Sequence, residues 1–283
     1  HLTAMAGRLG IKIDLGHFDK ITKSLPMIVD LKPSGTGYME DLYKAGGSQR
    51  IFYELRDFLY LDAKSVNGTS LGEEIKNSAK WSQNIITDKS NPVFNAGSIA
   101  VLKGSLAPNS AIIKQSAATK SLLNHQGRAV VFEGLEDLAN RIDRDDLDVT
   151  KDDVLVLKSI GPKGGPGMPE AGLIPIPKKL ARQGVKDMVR ISDGRMSGTA
   201  SGTIILHVTP ESYENGPLAI VQNGDIIKLD VPNRKIDLMI SEKEITERIK
   251  KKLKNNIKRR GYNKIYMEHV TQADKGVDFD FLI

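Results

Sequence analysis

Two glycine-rich segments hold the side chains best suited to chemistry. The first glycine-rich loop, residues 161–172, reads GPKGGPGMPEAG and carries Glu170. The second glycine-rich loop, residues 192–203, reads SDGRMSGTASGT, and its candidate side chains are Asp193, Arg195, Ser197 and Thr199. Glycine permits positive φ and lets the backbone approach a ligand closely. Two such segments about 20 residues apart, each with polar groups, therefore predict a binding or catalytic site.

Each candidate residue has a chemical and a structural interpretation. The carboxylate of Glu170 can coordinate a hard divalent cation such as Mg²⁺, which prefers oxygen ligands. It can equally be a surface glutamate in a turn, and spacing alone leaves both open. Ser197 and Thr199 lie two residues apart among glycines, where hydroxyls and backbone N–H groups can bind a carboxylate or a phosphate. The alternative is a turn whose hydroxyls bond to their own backbone.

The composition excludes several other kinds of site. The 283 residues include no cysteine, so the chain offers no disulfide, thiol nucleophile or thiolate-bound metal, and we expect a cytoplasmic protein. A serine triad is not expected, because the histidines have no nucleophile elbow (Gly-x-Ser-x-Gly) to act with around Ser197. His207 is predicted to be a core residue on a strand. The first glycine-rich loop lacks the Gly-Lys-Ser/Thr ending of a P-loop. No apolar run approaches the roughly 18 residues of a membrane span.

The positive charge is concentrated in one segment. The net charge is +6, but residues 250–260 contribute seven basic side chains and no acidic one. The segment fits the end of an amphipathic helix that begins after the capping residue Ser241 and ends at Gly261. Its apolar face is Ile245, Ile249, Leu253 and Ile257. A solvated helix face explains the lysines, and we expect no nucleic-acid partner.

The sequence pattern changes from helical to β-rich near residue 90. Helical periodicity dominates the first 85 residues, with helices predicted at 2–9, 15–24 and on both sides of Gly46-Gly47. From about residue 96, short β-rich runs follow one another. They are 98–103, 111–115, 128–132, 154–160, 188–191, 203–208, 218–221, 225–229 and 236–240, with a helix at 134–142. We predict an α/β protein with a helical segment, 1–90, and a mixed barrel or sandwich, 91–283. The aromatic tail, 262–283, is expected to pack on that body.

Several stretches together resemble the dihydroxyacid/phosphogluconate dehydratase family. They are the two glycine-rich loops, DLKPSG at 30–35 with AGG at 45–47, and GSIAVLKGSLAP at 97–108. The ending, YMEHVTQAD at 266–274 and DFDFL at 278–282, resembles the arabinonate and xylonate branch. The chain also begins within a helical pattern, which predicts a fragment whose upstream half is absent.

The resemblance implies a hydro-lyase that converts a 2,3-dihydroxy sugar acid to a 2-keto-3-deoxy acid. It implies that Ser197, as an alkoxide, is the base, that Thr199 binds substrate and that Glu170 binds Mg²⁺. It further implies an iron–sulfur cluster whose cysteines belong to the absent half, a homo-oligomer, and a β-rich domain like the swivelling domain of aconitase-like enzymes. We expect this fragment to be inactive alone.

Two alternatives stay open at this point. One is a non-catalytic ligand-binding or interaction module that reuses the fold. The other is a dihydroxyacid dehydratase of branched-chain amino-acid synthesis, although the ending favours a pentonate.

Overall fold

A computed structural model shows two compact units. One unit is Lys20–Ser98, and the other combines His1–Asp19 with Ile99–Ile283. The structure describes residues 1–78, 83–198, 201–252 and 260–283. The division into domains 1–90 and 91–283 stays a prediction.

Short helices dominate the Lys20–Ser98 unit. Its helices are α3 (Met39–Lys44), α4 (Gly47–Glu54) and α5 (Leu71–Ile75), after α2 (Leu15–Ser24), which crosses the unit boundary. Helix α4 begins at Gly47, directly after Gly46 in the left-handed region with φ of 105°. A small apolar core forms around Ile28, Ala45 and Ile86. The predicted helices on both sides of Gly46-Gly47 are thus confirmed.

One eight-stranded sheet organises the larger unit. The strands are β1 (Ile99–Leu102), β2 (Ser110–Lys114), β3 (Asn124–Phe132), β4 (Val154–Leu157), β5 (Arg190–Ser192), β6 (Ile204–Thr209), β7 (Ile226–Asp230) and β8 (Lys235–Leu238). Their order in the sheet is β1-β2-β6-β5-β4-β3-β7-β8, with β3, β4, β5 and β6 mutually parallel and the other pairs antiparallel.

The sheet nearly closes on itself. Just after β1, the N–H of Lys103 donates to the carbonyl of Arg234 at 2.9 Å, and the N–H of Ile236 donates back to Lys103 at 3.3 Å. These bonds join the two edge strands, β1 and β8, at one bridge. The predicted α/β class with a barrel-like β-rich part is confirmed.

Strand β4 shows why its apolar sequence forms a central strand. All four residues of Val154–Leu157 are buried. Val154 and Val156 belong to one apolar core, and Leu155 and Leu157 belong to a second core on the other face. Side chains alternate between the faces of a strand, so a continuous apolar run is expected where both faces are covered.

Four helices accompany the sheet, among the described residues after β1. They are α6 (Leu135–Arg141), α7 (Lys178–Arg182), α8 (Glu242–Lys251) and α9 (Tyr262–His269), and α1 (Leu2–Arg8) belongs to the same unit. The hydroxyl of Ser241 accepts the N–H of Glu244 at 3.1 Å, as expected for the cap of α8. Leu253 and Ile257, predicted on its apolar face, lie outside the described residues.

One predicted strand is wrong. Three of the residues predicted as a strand at 218–221 belong to a 3-10 helix, Pro217–Ile220, and Val221 follows it. Pro217 supplies a fixed φ at the start of the turn and has no N–H for a sheet partner. A short buried apolar run fits a helical turn as well as a strand, so periodicity could not separate them. In the described part of the chain, no helix is both long and apolar enough to span a bilayer.

Candidate active site

Both glycine-rich loops leave the same edge of the sheet. Strands β4 and β5 are parallel neighbours, and their last residues, Leu157 and Ser192, are paired in register. The first glycine-rich loop follows β4 after three residues, and the second begins at the end of β5. The carboxyl ends of adjacent parallel strands are where α/β sheets commonly place ligand sites. The topology therefore brings together two loops that are separate in sequence.

Arg195 joins the two loops by direct contacts. Its Nε donates to the carbonyl of Met168 at 2.7 Å, and its Nη1 lies 3.4 Å from Oε1 of Glu170. Its own carbonyl accepts the N–H of Gly172 at 2.5 Å. A Cβ at Gly172 would lie 2.7 Å from that carbonyl oxygen, which is too close for any other residue. The glycine content is thus partly explained by loop-to-loop packing.

A cavity of about 480 Å³ opens where the loops meet. Its lining includes Glu170 from the first loop, Arg195, Met196 and Gly198 from the second, and His207 from β6. The side chains of Glu170 and Arg195 remain 48% and 36% exposed, so both are available to a ligand. The structure therefore places an open carboxylate and a fixed cation at one cavity.

The structure describes two of the three predicted site residues, Glu170 and Ser197. Glu170 lies at the cavity, and Ser197 is half-buried between Met196 and Gly198, two lining residues. Thr199 lies outside the described residues. The roles of Glu170, Ser197 and Thr199 in chemistry stay predictions.

Asp193, the one acidic residue of the second glycine-rich loop, anchors that loop. It is fully buried and accepts the N–H groups of Ile160 at 3.0 Å and Ser212 at 2.9 Å, together with the Ser212 hydroxyl. Burial raises the pKa of Asp193, because a charged carboxylate loses its hydration there, although the hydrogen bonds oppose the shift. Asp193 thus ties the start of the second loop to the end of β4.

Glu211 anchors the first glycine-rich loop in a similar way. The sequence alone did not predict this role. Its buried carboxylate accepts the N–H groups of Lys163 at 3.0 Å and Gly164 at 2.9 Å, and the Nε2 of Gln272 at 2.6 Å. Burial raises the pKa of Glu211 as well. Tyr266 adds a bond from its hydroxyl to the carbonyl of Pro162 at 3.0 Å, so the aromatic tail packs on this loop as expected. A glutamate after a strand carries no local signal of such a role.

His207 lies on a strand as predicted, but it is not a core residue. Its φ is +53°, at an irregular stretch of the pairing between β2 and β6, and its N–H donates to the carbonyl of Gly194 at 3.1 Å. The residue lines the cavity, and within the described residues its ring has no hydrogen-bond partner. Burial lowers the pKa of His207 to about 4, so the ring is neutral at pH 7.

The described residues do not form a complete metal site. They contain no group of three or more His, Asp or Glu side chains that could hold an ion. Glu170 fits Mg²⁺ as a single oxygen ligand, because it is exposed and its partner Arg195 is at 3.4 Å. An iron–sulfur cluster does not fit this chain, which lacks every thiolate ligand.

Comparison with known proteins identifies the class. The chain matches the model of the dihydroxy-acid/6-phosphogluconate dehydratase C-terminal domain over residues 84–277 and that of the N-terminal domain over residues 1–74. The chain therefore belongs to the dihydroxy-acid/6-phosphogluconate dehydratase family.

The relatives carry names of different substrates. The chain is 44% identical over 285 residues to an L-arabinonate dehydratase of Rhizobium leguminosarum, covering 100% of this chain and 49% of the relative. It is 41% identical over 286 residues to a 6-deoxy-6-sulfo-D-gluconate dehydratase of Pseudomonas putida, covering 100% and 49%. It is 38% identical over 283 residues to a dihydroxy-acid dehydratase of Carboxydothermus hydrogenoformans, covering 99% and 50%. The chain thus spans about half the length of the curated relatives it matches.

Proposed function

We propose that this chain is the C-terminal portion of a hydro-lyase that dehydrates a sugar acid to a 2-keto-3-deoxy acid. The observation that carries the proposal is the convergence of Glu170 and the backbone around Ser197 on one cavity. Family membership supports the reaction class. Relatives named for L-arabinonate and 6-deoxy-6-sulfo-D-gluconate support an aldonate over a simple dihydroxy acid. The complete enzyme is further proposed to be a homo-oligomer in the cytoplasm.

In this reaction the substrate loses the proton at C2 and the hydroxyl at C3 as water. The C2 proton is weakly acidic, so its removal needs a base and compensation of the charge that develops. Ser197 is proposed as that base, in its alkoxide form, and Thr199 as a substrate-binding residue. A serine hydroxyl needs a nearby cation to ionise. Arg195, two residues earlier and at the same cavity, supplies such a charge from this chain.

Mg²⁺, when bound, would neutralise the charge that develops on the substrate carboxylate. Glu170 is proposed to supply one of its oxygen ligands. Its remaining ligands and all ligands of the iron–sulfur cluster would come from residues outside this chain. The 283 residues alone are therefore expected to be inactive.

The test uses the complete enzyme, in which this chain is joined to the part that its relatives have and this chain does not cover. Ser197→Ala should lower the turnover of L-arabinonate by about 10²–10⁴-fold, the usual loss when a general base is removed. Production of the 2-keto-3-deoxy acid is measured together with the iron, sulfide and Mg²⁺ content. Both contents should equal those of the wild type, because Ser197 is assigned to proton transfer.

Ser201→Ala is the matched control, since Ser201 is an exposed serine of the same loop. It should turn over substrate at the wild-type rate. Substantial turnover by Ser197→Ala would refute the assignment of the base. An equal loss in both variants would show that the loop tolerates no substitution and would likewise count against a specific role.

A further inference from the structure

A second cavity lies at the same sheet edge and has a different chemical character. Its volume is about 590 Å³, and it shares no lining residue with the candidate active site. Glu133 and Lys158 enter its lining directly after β3 and β4, whose last residues, Phe132 and Leu157, are paired in register. The cavity therefore occupies the carboxyl ends of parallel strands, a common position for a ligand. We call it the basic cavity.

Five cationic side chains line the basic cavity, against one carboxylate. The cations are Arg141, Lys158, Arg248, Lys251 and Lys252, and the carboxylate is Glu133. Some of this charge is balanced from outside the lining. Arg141 pairs with Asp137 at 2.8 Å. Arg248 pairs with Asp225 at 2.5 Å and with Glu244 at 2.6 Å. Among the described residues, Lys252 is the half-buried cation of this lining that has no such partner.

Lys158 and Lys252 share a single carbonyl oxygen. The Nζ of Lys158 lies 3.3 Å from the oxygen of Ala219, and the Nζ of Lys252 lies 3.0 Å from the same atom. The Lys158 side chain is only 3% exposed, and its one carboxylate partner is Glu133 at 2.7 Å. Within the part of the chain that the structure describes, Lys252 has no carboxylate within 4.0 Å.

Capping of the short helix Pro217–Ile220 explains only part of this arrangement. Cations near a helix C-terminus are stabilised by its last carbonyls. Arg248 already donates to the carbonyl of Ile220 at 3.2 Å, and one lysine would suffice for Ala219. Glu133 balances the charge of Lys158, but a carbonyl dipole does not neutralise the ammonium charge of Lys252. Like charges close together in a partly buried site repel strongly. Burial and the charge of Lys158 lower the pKa of Lys252, although the charges of Glu133 and Asp193 oppose the shift.

We propose that the basic cavity binds a phosphate group, either as inorganic phosphate or on a small phosphate ester. A tetrahedral dianion offers oxygens in several directions, which suits two lysines and two arginines arranged around a cavity. It would supply a negative partner for Lys252, whereas Lys158 already has Glu133. This site is independent of the proposed dehydration, because the two cavities have separate linings.

The experiment is calorimetric titration of the full 283-residue chain with inorganic phosphate, at ionic strength held constant with potassium chloride. The wild type should bind saturably. Lys252→Gln should weaken the affinity about tenfold or more, because a charge-assisted hydrogen bond is lost. Lys252→Arg should bind within about threefold of the wild type, since it keeps the charge. Lys252 is half-buried, so folding of each variant is checked by circular dichroism.

Lys250→Gln is the matched control, because Lys250 is an exposed lysine of α8 outside the cavity lining. It should bind phosphate as the wild type does. No saturable binding by the wild type, or equal weakening by Lys250→Gln and Lys252→Gln, would overturn the proposal. A parallel titration with glucose 6-phosphate separates the two sources: tighter binding than phosphate assigns the site to an ester, and equal binding assigns it to the free anion.

Discussion

The acidic residues in and beside the two glycine-rich loops fall into two layers. In the buried layer, Asp193 and Glu211 are fully enclosed and saturated by N–H and hydroxyl donors. In the open layer, Glu170 is 48% exposed, and Arg195 is its ion-pair partner at 3.4 Å. All three are carboxylates beside a glycine-rich loop, so residue type does not distinguish them. A carboxylate that accepts several hydrogen bonds from the protein anchors a loop. A carboxylate that accepts few of them remains available to a ligand.

The strongest test of this comparison is a pair of substitutions. Asp193→Ala should lower the free energy of unfolding by about 2–4 kcal/mol, because it strands the buried N–H groups of Ile160 and Ser212. Glu170→Ala should change it by less than about 0.5 kcal/mol, as exposed substitutions usually do. Urea unfolding of the 283-residue chain measures both. Similar losses in the two variants would remove the distinction between the layers.

A smaller effect is expected on the pH dependence of stability at His207, which lies at the same cavity as Glu170. Its pKa is lowered from 6.5 to about 4, so the unfolded chain binds a proton that the folded chain does not between those values. The stability that this neutral ring contributes is present above pH 6.5 and is lost as the pH falls towards 4. His207→Gln should therefore flatten the decline over this window, by on the order of 2 kcal/mol.

Urea unfolding at a series of pH values from 4 to 7 measures this difference. His17→Gln is the matched control, since His17 is exposed on α2. Identical pH slopes for His207→Gln and the wild type would show that the ring is not held neutral in the cavity.

Strands with a clear apolar pattern were predictable, whereas long-range placement was not. The buried run of β4 could be recognised from sequence because both of its faces are covered. The 3-10 helix Pro217–Ile220 could not be separated from a strand, since burial hides its periodicity. The glycine content indicated the two loops, but their contact depends on the parallel pairing of β4 and β5. Local sequence carries no record of such a pairing.

At the site, the anchor Glu211 and the position of His207 at the cavity could not be predicted from sequence, for the same reason. Glu211 acts on a loop 47 and 48 residues away in the chain, through Gly164 and Lys163. His207 reaches the cavity through a positive φ within a strand, which the sequence around it does not signal. Glu170 and Ser197 could be proposed from sequence because glycines frame them, and their roles stay predictions.

The most direct test of the central claim is a crystal structure of the complete enzyme with Mg²⁺ and a bound aldonate. The account predicts a Glu170 carboxylate oxygen at about 2.0–2.1 Å from the ion. It also predicts the Ser197 hydroxyl oxygen within roughly 3.5 Å of the substrate's C2. An ion bound without Glu170, or a substrate whose C2 lies away from Ser197, would contradict the account.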